Sequence, residues 1–207
     1  MMTLHWSPKS PFVRKVMIVL AETGLTDNVR LVRTPVAMSR VNLDLLADNP
    51  LSKLPTLVLD DGTPIFDSRV IVDYLSTFAE SQIVPSHDPA RLLALRRQAL
   101  GDGLLDMLLL FRQERNKPTE RQTPEWLAGF QVKLDATLAY LETEAPKLDT
   151  APFDIGVIAL GCAVSYLDFR FPEIDWRAKH PQLRDWLARF DAHPSVARYA
   201  PQDDQPA

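Results

Sequence analysis

The spacing of hydrophobic and polar residues in the first part of the chain changes several times between that of strands and that of helices. Residues 3–6 and 29–32 are short apolar segments of the kind that form strands. Between them, hydrophobic residues recur with helical spacing on one face: Val13, Val16, Met17 and Leu20. Gly24 follows this face at the position where a helix commonly ends. The chain therefore opens with a predicted strand, helix and strand.

The next segment leads through a predicted hairpin into a second amphipathic helix. An irregular stretch through residue 42 and a short helical piece over residues 43–47 come first. The apolar run 56–59 is followed by Asp60-Asp61-Gly62, a turn signal typical of hairpins. A helical pattern then fills residues 68–80. The complete order, β-α-β followed by α-β-β-α, predicts an α/β thioredoxin-like domain with a mixed sheet and helices on both faces.

After residue 80 the strand patterns end and only helical periodicity remains. A polar connector with prolines spans residues 81–89. The hydrophobic faces of four predicted helices follow, within residues 89–115, 127–141, 155–166 and 183–190. We expect a thioredoxin-like domain over residues 1–80 and an all-α domain over residues 89–207, with a frayed end at residues 201–207.

The composition is that of a folded protein and gives no sign of a nucleic-acid or membrane partner. Hydrophobic residues make up 46% of the 207 residues, and the formal net charge is −4. Basic residues are interleaved with acidic ones, as on solvated helix faces. The longest apolar runs are far shorter than the ~20 residues that span a bilayer, and the first segment lacks the pattern of a signal peptide. We therefore predict a cytoplasmic protein.

The cysteine and histidine content does not indicate a disulfide or a metal site. The only cysteine, Cys162, excludes a disulfide within the chain and lies on an apolar helix face, where we expect an inert core residue. His5, His87, His180 and His193 lack the spacing of metal ligands. His180 and His193 each precede a proline, so we interpret both as helix boundaries.

Ser10-Pro11 is a helix start that also offers candidate chemistry. Serine at the N-cap and proline at the first helical position are both favoured, and a serine cap is worth about 1 kcal/mol. The same hydroxyl would lie at the positive end of the helix dipole, where it can donate a hydrogen bond to an anion. Ser7, which also precedes a proline, offers a competing hydroxyl. The local pattern leaves both serines as candidates.

Lys53-Leu54-Pro55 lies just before the predicted hairpin. Proline is tolerated at the start of a strand, so a structural role is one interpretation. A cis Leu54–Pro55 bond is the other, although only about 5–6% of X-Pro bonds are cis. It would turn the backbone N–H and C=O of Leu54 outward, where an extended peptide can pair with them as an added strand.

Asp67-Ser68 stands at the start of the second predicted helix. An ordinary helix cap is one interpretation of both residues. In the other, unpaired N–H groups and the Ser68 hydroxyl bind a carboxylate, and Asp67 accepts from an ammonium group beside it. Because the head of an α-amino acid carries both charges, this pair together with Leu54 predicts a small zwitterionic peptide as ligand.

Four segments together resemble the glutathione transferase family. They are Ser10-Pro-Phe-Val-Arg-Lys with Gly24 behind it, Asn49-Pro-x-x-Lys-Leu-Pro, Asp67-Ser68-x-x-Ile-x-x-Tyr-Leu and Asp154-Ile-x-x-Ile-Ala-Leu. The resemblance covers nearly the whole chain and is greatest to bacterial relatives of the omega and zeta classes. In those classes the position of Ser10 carries the cysteine of a Cys-Pro-Phe motif or the first serine of a Ser-Ser-Cys motif. This alignment favours Ser10 over Ser7.

The resemblance implies a glutathione transferase that uses glutathione as co-substrate and no metal. Its glutathione-binding residues would be Lys53, Leu54, cis Pro55, Asp67 and Ser68. The backbone of Leu54 would pair with the cysteinyl unit, Asp67 and Ser68 would hold the γ-glutamyl ammonium and carboxylate, and Lys53 would reach a ligand carboxylate. Ser10 would be the catalytic residue, because its hydrogen bond to the sulfur favours thiolate over thiol.

In such an enzyme the thiolate attacks a small hydrophobic electrophile presented by the helical domain. The candidate pocket residues are Phe12, Met107, Phe111 and Tyr166, although their helical spacing also fits core positions. The resemblance further implies a homodimer in which the first domain of one subunit packs against the long helices of the other.

Two other functions are compatible with these segments. One is a non-catalytic glutathione-binding or regulatory protein of the same fold. The other is a glutathione-dependent reductase, which is disfavoured because no cysteine stands at position 10 to form a mixed disulfide. The missing Ser-Ser-Cys sequence likewise disfavours an isomerase of the zeta type.

Asp154 resembles the acid of the capping box that opens a helix in the family's second domain. The serine or threonine expected three residues earlier is Ala151 here. We therefore expect either that Thr150 substitutes for it or that Asp154 bonds to the backbone alone.

Overall fold

The computed structural model describes residues 1–37 and 41–203. Its N-terminal part contains β1 (Met2–Trp6), α1 (Pro11–Glu22), β2 (Val29–Arg33), β3 (Thr56–Val58), β4 (Pro64–Ile65) and α2 (Ser68–Phe78). The rest is helical: α3 (Ala90–Arg115), α4 (Pro124–Asp149), α5 (Ile155–Arg170), α6 (Pro181–Ala192) and α7 (Pro194–Arg198). The predicted fold class, a thioredoxin-like α/β part followed by an all-α part, is confirmed.

Two local predictions differ from the structure. The helical piece expected over residues 43–47 is only a short 3-10 turn at Leu45–Ala47. Helix α7 was not predicted, because its five residues are too few to show a helical period. The irregular stretch predicted through residue 42 includes residues 38–40, and the predicted frayed end includes residues 204–207; both parts lie outside the described residues.

The sheet is mixed and has the strand order β2-β1-β3-β4. Strand β1 pairs in parallel with β2 and antiparallel with β3, and β3 pairs antiparallel with β4. Leu4 of β1 faces Leu57 of β3 in this register, and both side chains are completely buried. These two strands therefore form the apolar centre of the sheet, beside which α1 and α2 pack against each other.

The strand directions bring three chain segments to one edge of the sheet. Because β1 and β3 are antiparallel, with His5 opposite Thr56, the loop that leads from β1 to Ser10 lies beside Pro55. Because β4 is antiparallel to β3, with Leu57 opposite Ile65, the end of β4 lies at the same place. The starts of α1, β3 and α2 are consequently neighbours, although they are far apart in sequence.

Helix α5 is the centre of the helical part, with every residue from 155 to 167 buried. Glycine allows α3 to lie directly on it. A Cβ atom at Gly101 would lie 2.6 Å from the carbonyl carbon of Ala159, and one at Gly156 would lie 2.7 Å from the backbone oxygen of Ala94. Helix α1 also packs against α5. Helix α1, whose start lies at that edge of the sheet, is therefore held against α5, on which α3 also packs.

Asp154 is itself the N-cap of α5. Its Oδ1 accepts hydrogen bonds from the N–H groups of Gly156 (2.9 Å) and Val157 (3.0 Å). Thr150 does not substitute for the missing capping partner, because its hydroxyl donates to the backbone oxygen of Lys147. The expectation that Asp154 bonds to the backbone alone is confirmed. Burial raises the pKa of Asp154, and the two backbone N–H groups oppose that shift.

Candidate functional site

Ser10 caps the start of α1 in the way the sequence predicts. Its Oγ accepts a hydrogen bond from the backbone N–H of Val13 at 3.3 Å, and Pro11 occupies the first helical position. The hydroxyl proton is not used by this bond, so it remains available for an acceptor outside the helix. Ser10 also lines a narrow cleft, together with Tyr166 and Pro201, whose walls leave no room for a water molecule. The side chain that caps α1 is therefore also part of the cleft wall.

Ser7 is placed differently. Its side chain is buried, and its hydroxyl has no hydrogen-bond partner among the residues that the structure describes. The backbone oxygen of Ser7 accepts from the N–H of Ser10 at 3.2 Å, which closes the turn before α1. Ser7 does not line the cleft that contains Ser10.

The backbone of Leu54 is exposed to a ligand because a buried asparagine holds the preceding loop. Asn49 Nδ2 donates to the backbone oxygen of Lys53 at 3.2 Å and to Thr56 Oγ1 at 3.0 Å. The Leu54–Pro55 bond is cis, as the resemblance implies. Neither the N–H nor the C=O of Leu54 has a hydrogen-bond partner within the described ranges. This pair of groups is the backbone edge that the sequence predicts.

The start of α2 presents a second set of polar groups at the same edge of the sheet. Asp67 is the N-cap, and its Oδ1 accepts from the N–H of Arg69 at 2.9 Å. Ser68 is buried, yet its N–H and hydroxyl bond to no other part of the chain that the structure describes. Both the cap and the anion-binding interpretations therefore agree with the geometry, because Asp67 forms the cap and Ser68 is left for a ligand.

A buried ion cluster connects this edge to α3. Lys15 Nζ lies 2.5 Å from Asp102 Oδ1, and Arg69 Nε lies 3.0 Å from Asp102 Oδ2. The side chains of Lys15 and Asp102 are 0% and 1% exposed, whereas that of Arg69 is 52% exposed. Burial lowers the pKa of Lys15, and the carboxylate of Asp102 opposes this shift. Asp102 thus orients Arg69 beside Ser68.

Asp106 lies one turn after Asp102 on α3 and faces the same group of charges. Burial and the nearby carboxylate of Asp102 raise the pKa of Asp106, whereas Arg69 and Lys53 act to lower it. From the sequence, Lys15, Arg69, Asp102 and Asp106 had no separate role. The four-residue spacing of two acids on an otherwise apolar helix face was the one available signal for the acidic pair.

The four predicted electrophile-pocket residues do not all share one place. Tyr166 lines the cleft with Ser10. Phe111 is buried in an aromatic cluster, with ring centroids 5.5 Å from Phe130 and 5.3 Å from Phe171. Phe12 and Met107 are half-buried against the core. Tyr166 is therefore the member of the set that the structure brings to the candidate site.

Cys162 has the properties of an inert core residue, as predicted. Its side chain is 0% exposed, and burial raises the pKa of its thiol to about 11. The reactive form of a cysteine is the thiolate, so this residue is protonated and unreactive at neutral pH.

Other kinds of site are not indicated by the residues that the structure describes. Within residues 1–37 and 41–203, no three or more His, Cys, Asp or Glu side chains are grouped so that they could hold a metal ion. Over the same ranges, no helix is both long and apolar enough to cross a membrane. A cavity of about 350 Å³ lies between α3, α4 and α5, lined in part by Arg97, Leu141 and Leu160. It contains none of the predicted site residues.

The fold and the site define a class of proteins in which a thioredoxin-like part, with unpaired polar groups at one edge of its sheet, is followed by a helical part. Residues 9–77 match the family described as Glutathione S-transferase, N-terminal domain, and residues 124–189 match its C-terminal domain. The chain belongs to the glutathione transferase family.

Individual relatives align over almost the whole chain. The uncharacterized GST-like protein YibF of Escherichia coli K12 is 32% identical over 97% of this chain and 98% of its own. A glutathione transferase family member from Pseudomonas fluorescens Pf-5, solved with bound glutathione, is 38% identical, with a TM-score of 0.92 over 98% of this chain and 100% of that one. A second structure, also of a Pseudomonas fluorescens Pf-5 family member, holds S-(propanoic acid)-glutathione and has 38% identity, the same coverage and a TM-score of 0.89.

Proposed function

We propose that this protein is a glutathione transferase that activates the glutathione thiol as thiolate and conjugates it to a small hydrophobic electrophile. One observation carries the proposal: the sheet edge places the Ser10 hydroxyl, the unpaired backbone of Leu54 and the start of α2 side by side. The hydroxyl is suited to the sulfur of glutathione, the unpaired backbone to its cysteinyl unit, and the helix start to its γ-glutamyl head. The glutathione-bound relative supports the choice of ligand.

Each end of glutathione has partners of suitable charge in this proposal. The N–H and C=O of Leu54 pair with the cysteinyl unit as an added strand. The γ-glutamyl carboxylate binds the N–H and hydroxyl of Ser68 at the start of α2, where the helix dipole favours an anion. The γ-glutamyl ammonium group binds Asp67, and exposed Lys53 reaches a carboxylate of the ligand.

Ser10 acts on the sulfur. Its oxygen is fixed by the Val13 N–H, so its proton points away from the helix and donates to the thiolate. Each unit by which the pKa of the bound thiol falls corresponds to about 1.4 kcal/mol of preference for the thiolate. The thiolate then attacks the electrophilic carbon on the side of the cleft where Tyr166 lies.

The proposal extends to the domains, the location and the oligomeric state of the protein. We place the glutathione-binding domain at residues 1–80 and the electrophile-binding domain at residues 89–207. The protein is cytoplasmic, uses no metal and forms a homodimer, with the first domain of one subunit against the long helices of the other. Sedimentation at the monomer mass would refute the dimer. Within the family we place the chain nearest to bacterial relatives of the omega and zeta classes, in which the position of Ser10 carries the cysteine of a Cys-Pro-Phe motif or the first serine of a Ser-Ser-Cys motif.

A glutathione-dependent reductase is a weaker alternative. Such a reaction needs a protein thiol that forms and resolves a mixed disulfide. The sequence has one cysteine, and Cys162 is completely buried with a thiol pKa of about 11. A non-catalytic glutathione-binding protein remains the second candidate, because the unpaired groups at Leu54 and Ser68 serve binding without requiring turnover.

The test compares Ser10→Ala with Ser7→Ala as its matched control. With an activated aryl halide as electrophile, Ser10→Ala should lower kcat/KM at least about tenfold and raise the pKa of the bound thiol by about one unit or more. Ser7→Ala should change neither quantity. The thiol pKa is followed by thiolate absorbance against pH, and glutathione affinity by calorimetry.

Each outcome distinguishes a different hypothesis. If Ser7→Ala slows conjugation and Ser10→Ala does not, the catalytic role belongs to Ser7. If the wild-type protein binds glutathione but consumes no member of a broad electrophile panel, the non-catalytic alternative is correct. If it does not bind glutathione at all, the proposed function is wrong.

A further inference from the structure

Cationic side chains lie on and near the cleft beside Ser10: Lys9 and Arg14 line it, and two more arginines lie close to Tyr166, which lines it too. Arg112 comes from α3, Arg170 from the end of α5, and Lys9 from the loop before α1. Arg112 and Arg170 both lie close enough to Tyr166 to oppose the rise that burial causes in the pKa of its phenol. Positive charge is therefore concentrated around Tyr166.

Arg170 is almost completely enclosed. Its side chain is only 8% exposed, and its guanidinium carbon lies 3.9 Å from the ring centroid of Phe169. Its Nε is buried and has no hydrogen-bond partner in the part of the chain that the structure describes. A buried guanidinium needs a paired anion to offset the loss of its hydration. The site is thus built to receive a carboxylate.

The anion at this position comes from the segment after α7. Asp203 Oδ1 lies 2.7 Å from Arg170 Nη2, although the Asp203 side chain is 66% exposed. Arg170, Arg112 and Lys9 together lower the pKa of Asp203. An ion pair in which one partner is largely in water contributes little to stability, because solvent competes for that partner. Asp203 is therefore an anion that a ligand can replace.

The same segment crosses the cleft on its way to Arg170. Arg14 Nε donates to the backbone oxygen of Tyr199 at 2.9 Å, Pro201 forms part of the cleft wall, and the N–H of Gln202 approaches the oxygen of Pro8 at 3.5 Å. Residues 200–203 belong to no helix or strand. The segment thus runs along the cleft beside Ser10 and brings the Asp203 carboxylate to Arg170.

We infer that the electrophile of this protein carries a carboxylate, which binds Arg170 and Arg112 in place of the Asp203 side chain. The inference rests on the proposed function and names its substrate class: a hydrophobic body with an anionic end. With a carboxylate-bearing aryl halide, the thiol proton first leaves to solvent. A sulfur electron pair then forms the carbon–sulfur bond, and the carbon–halogen bond breaks with its electron pair leaving on the halide.

The experiment uses two electrophiles of the same shape and different charge, a chloronitrobenzoate and the corresponding chloronitrobenzamide. Each kcat/KM is divided by the uncatalysed rate constant with glutathione, which removes the difference in intrinsic reactivity. The normalised ratio of benzoate to benzamide should exceed about tenfold in the wild-type protein, in line with a charge-assisted hydrogen-bonded pair. A ratio near one overturns the inference and leaves the proposed function intact.

Variants test the residues. Arg170→Met should reduce the benzoate-to-benzamide ratio to near one, and Arg170→Lys should keep part of the preference. Arg112→Met should also reduce the ratio, and it serves as the test if Arg170→Met does not fold. Asp203→Asn should raise the ratio by lowering KM for the benzoate, because it removes the competing internal carboxylate. A ratio that is the same in Arg112→Met and Asp203→Asn as in the wild type overturns the inference.

A binding measurement separates this inference from the question of turnover. S-(carboxyethyl)glutathione should bind about fivefold or more tightly than S-(carbamoylethyl)glutathione in calorimetry, and Arg112→Met should remove the difference. Equal affinities overturn the inference. If neither electrophile is conjugated but the difference in affinity is found, the proposed turnover is wrong and the carboxylate site stands.

Discussion

Lys15 and Asp102 form a completely buried ion pair that joins the first helix of the thioredoxin-like part to the first helix of the helical part. Their Nζ and Oδ1 atoms are 2.5 Å apart, and the side chains are 0% and 1% exposed. The second carboxylate oxygen of Asp102 binds Arg69 at the start of α2. One carboxylate thus fixes the position of two elements that form the candidate site.

Replacing Asp102 by Asn should destabilise the protein by about 3–5 kcal/mol, because a buried lysine loses the carboxylate that pairs with it. Lys15→Met should cost less, since Arg69 still pairs with the remaining carboxylate. The double variant should recover part of the loss, which a double-mutant cycle in urea at neutral pH measures. If the free energy of unfolding of Asp102→Asn is within about 1 kcal/mol of the wild-type value, the ion pair does not contribute as described.

Ser68→Ala should weaken glutathione binding without affecting the fold. A hydrogen bond to a charged group is worth about 1.5–3 kcal/mol, so we expect the calorimetric Kd to rise roughly tenfold or more. The helix cap is retained, because Asp67 supplies it. Thr77→Ala, an exposed position on the same helix, is the matched control and should leave Kd unchanged. Similar Kd values for the two variants would place the γ-glutamyl group elsewhere.

Substitutions of Asp154 should separate its two properties, the cap and the buried charge. Asp154→Ala loses the cap and should destabilise the protein by about 0.5–2 kcal/mol at neutral pH. Asp154→Asn keeps a good cap without the charge, so it should cost little at neutral pH or stabilise the protein slightly. Thermal or urea unfolding of both variants measures these differences.

The pH dependence of the Asp154→Asn effect has a defined sign. Burial raises the folded-state pKa of Asp154 above its unfolded value of about 3.9. The protonated group's contribution to stability is fully present below the unfolded pKa and is lost as pH rises through the folded one. The stability of Asp154→Asn relative to the wild type should therefore increase over this interval. A difference that is constant from acidic to neutral pH would contradict the assigned shift.

Cys162 should not react with alkylating reagents in the native protein. Its thiol is buried and has a pKa of about 11, so the thiolate fraction at mildly alkaline pH is very small. Iodoacetamide should modify the cysteine within minutes in denaturant and not measurably over the same time in buffer, as mass spectrometry can show. Fast native labelling would mean that α5 opens locally or that the thiol is accessible.

Local sequence signals predicted the helix starts well. Ser10-Pro11 and Asp67 cap their helices as expected, because a cap involves only the side chain and the next two or three backbone N–H groups. Asp154 was correctly selected at a helix start, where it is the N-cap and bonds to the backbone alone. His180 and His193 do stand at helix boundaries.

The long-range contacts could not be predicted in the same way. Lys15 and Asp102 are 87 residues apart, and Arg69 and Asp102 are 33 apart. In the sequence, Lys15 is one charged residue among others of an amphipathic helix, and Asp102 is one acid on a long helix. Phe111 shows a second limit of the sequence. Its helical spacing fitted either a pocket or a core position, and the structure places it in a buried aromatic cluster.

The sequence by itself determined the order of strands and helices, the positions of their caps and the segments that we propose bind backbone and anionic groups. These properties depend on contacts within a few residues, and the hydrophobic period and the capping side chains encode them directly. The tertiary structure alone decided which starts of elements meet at one sheet edge, that Lys15 is buried on Asp102, and that Arg112 and Arg170 converge beside Tyr166. Such contacts depend on the packing of helices that are distant in the chain, because burial and charge pairing are set by neighbours in space.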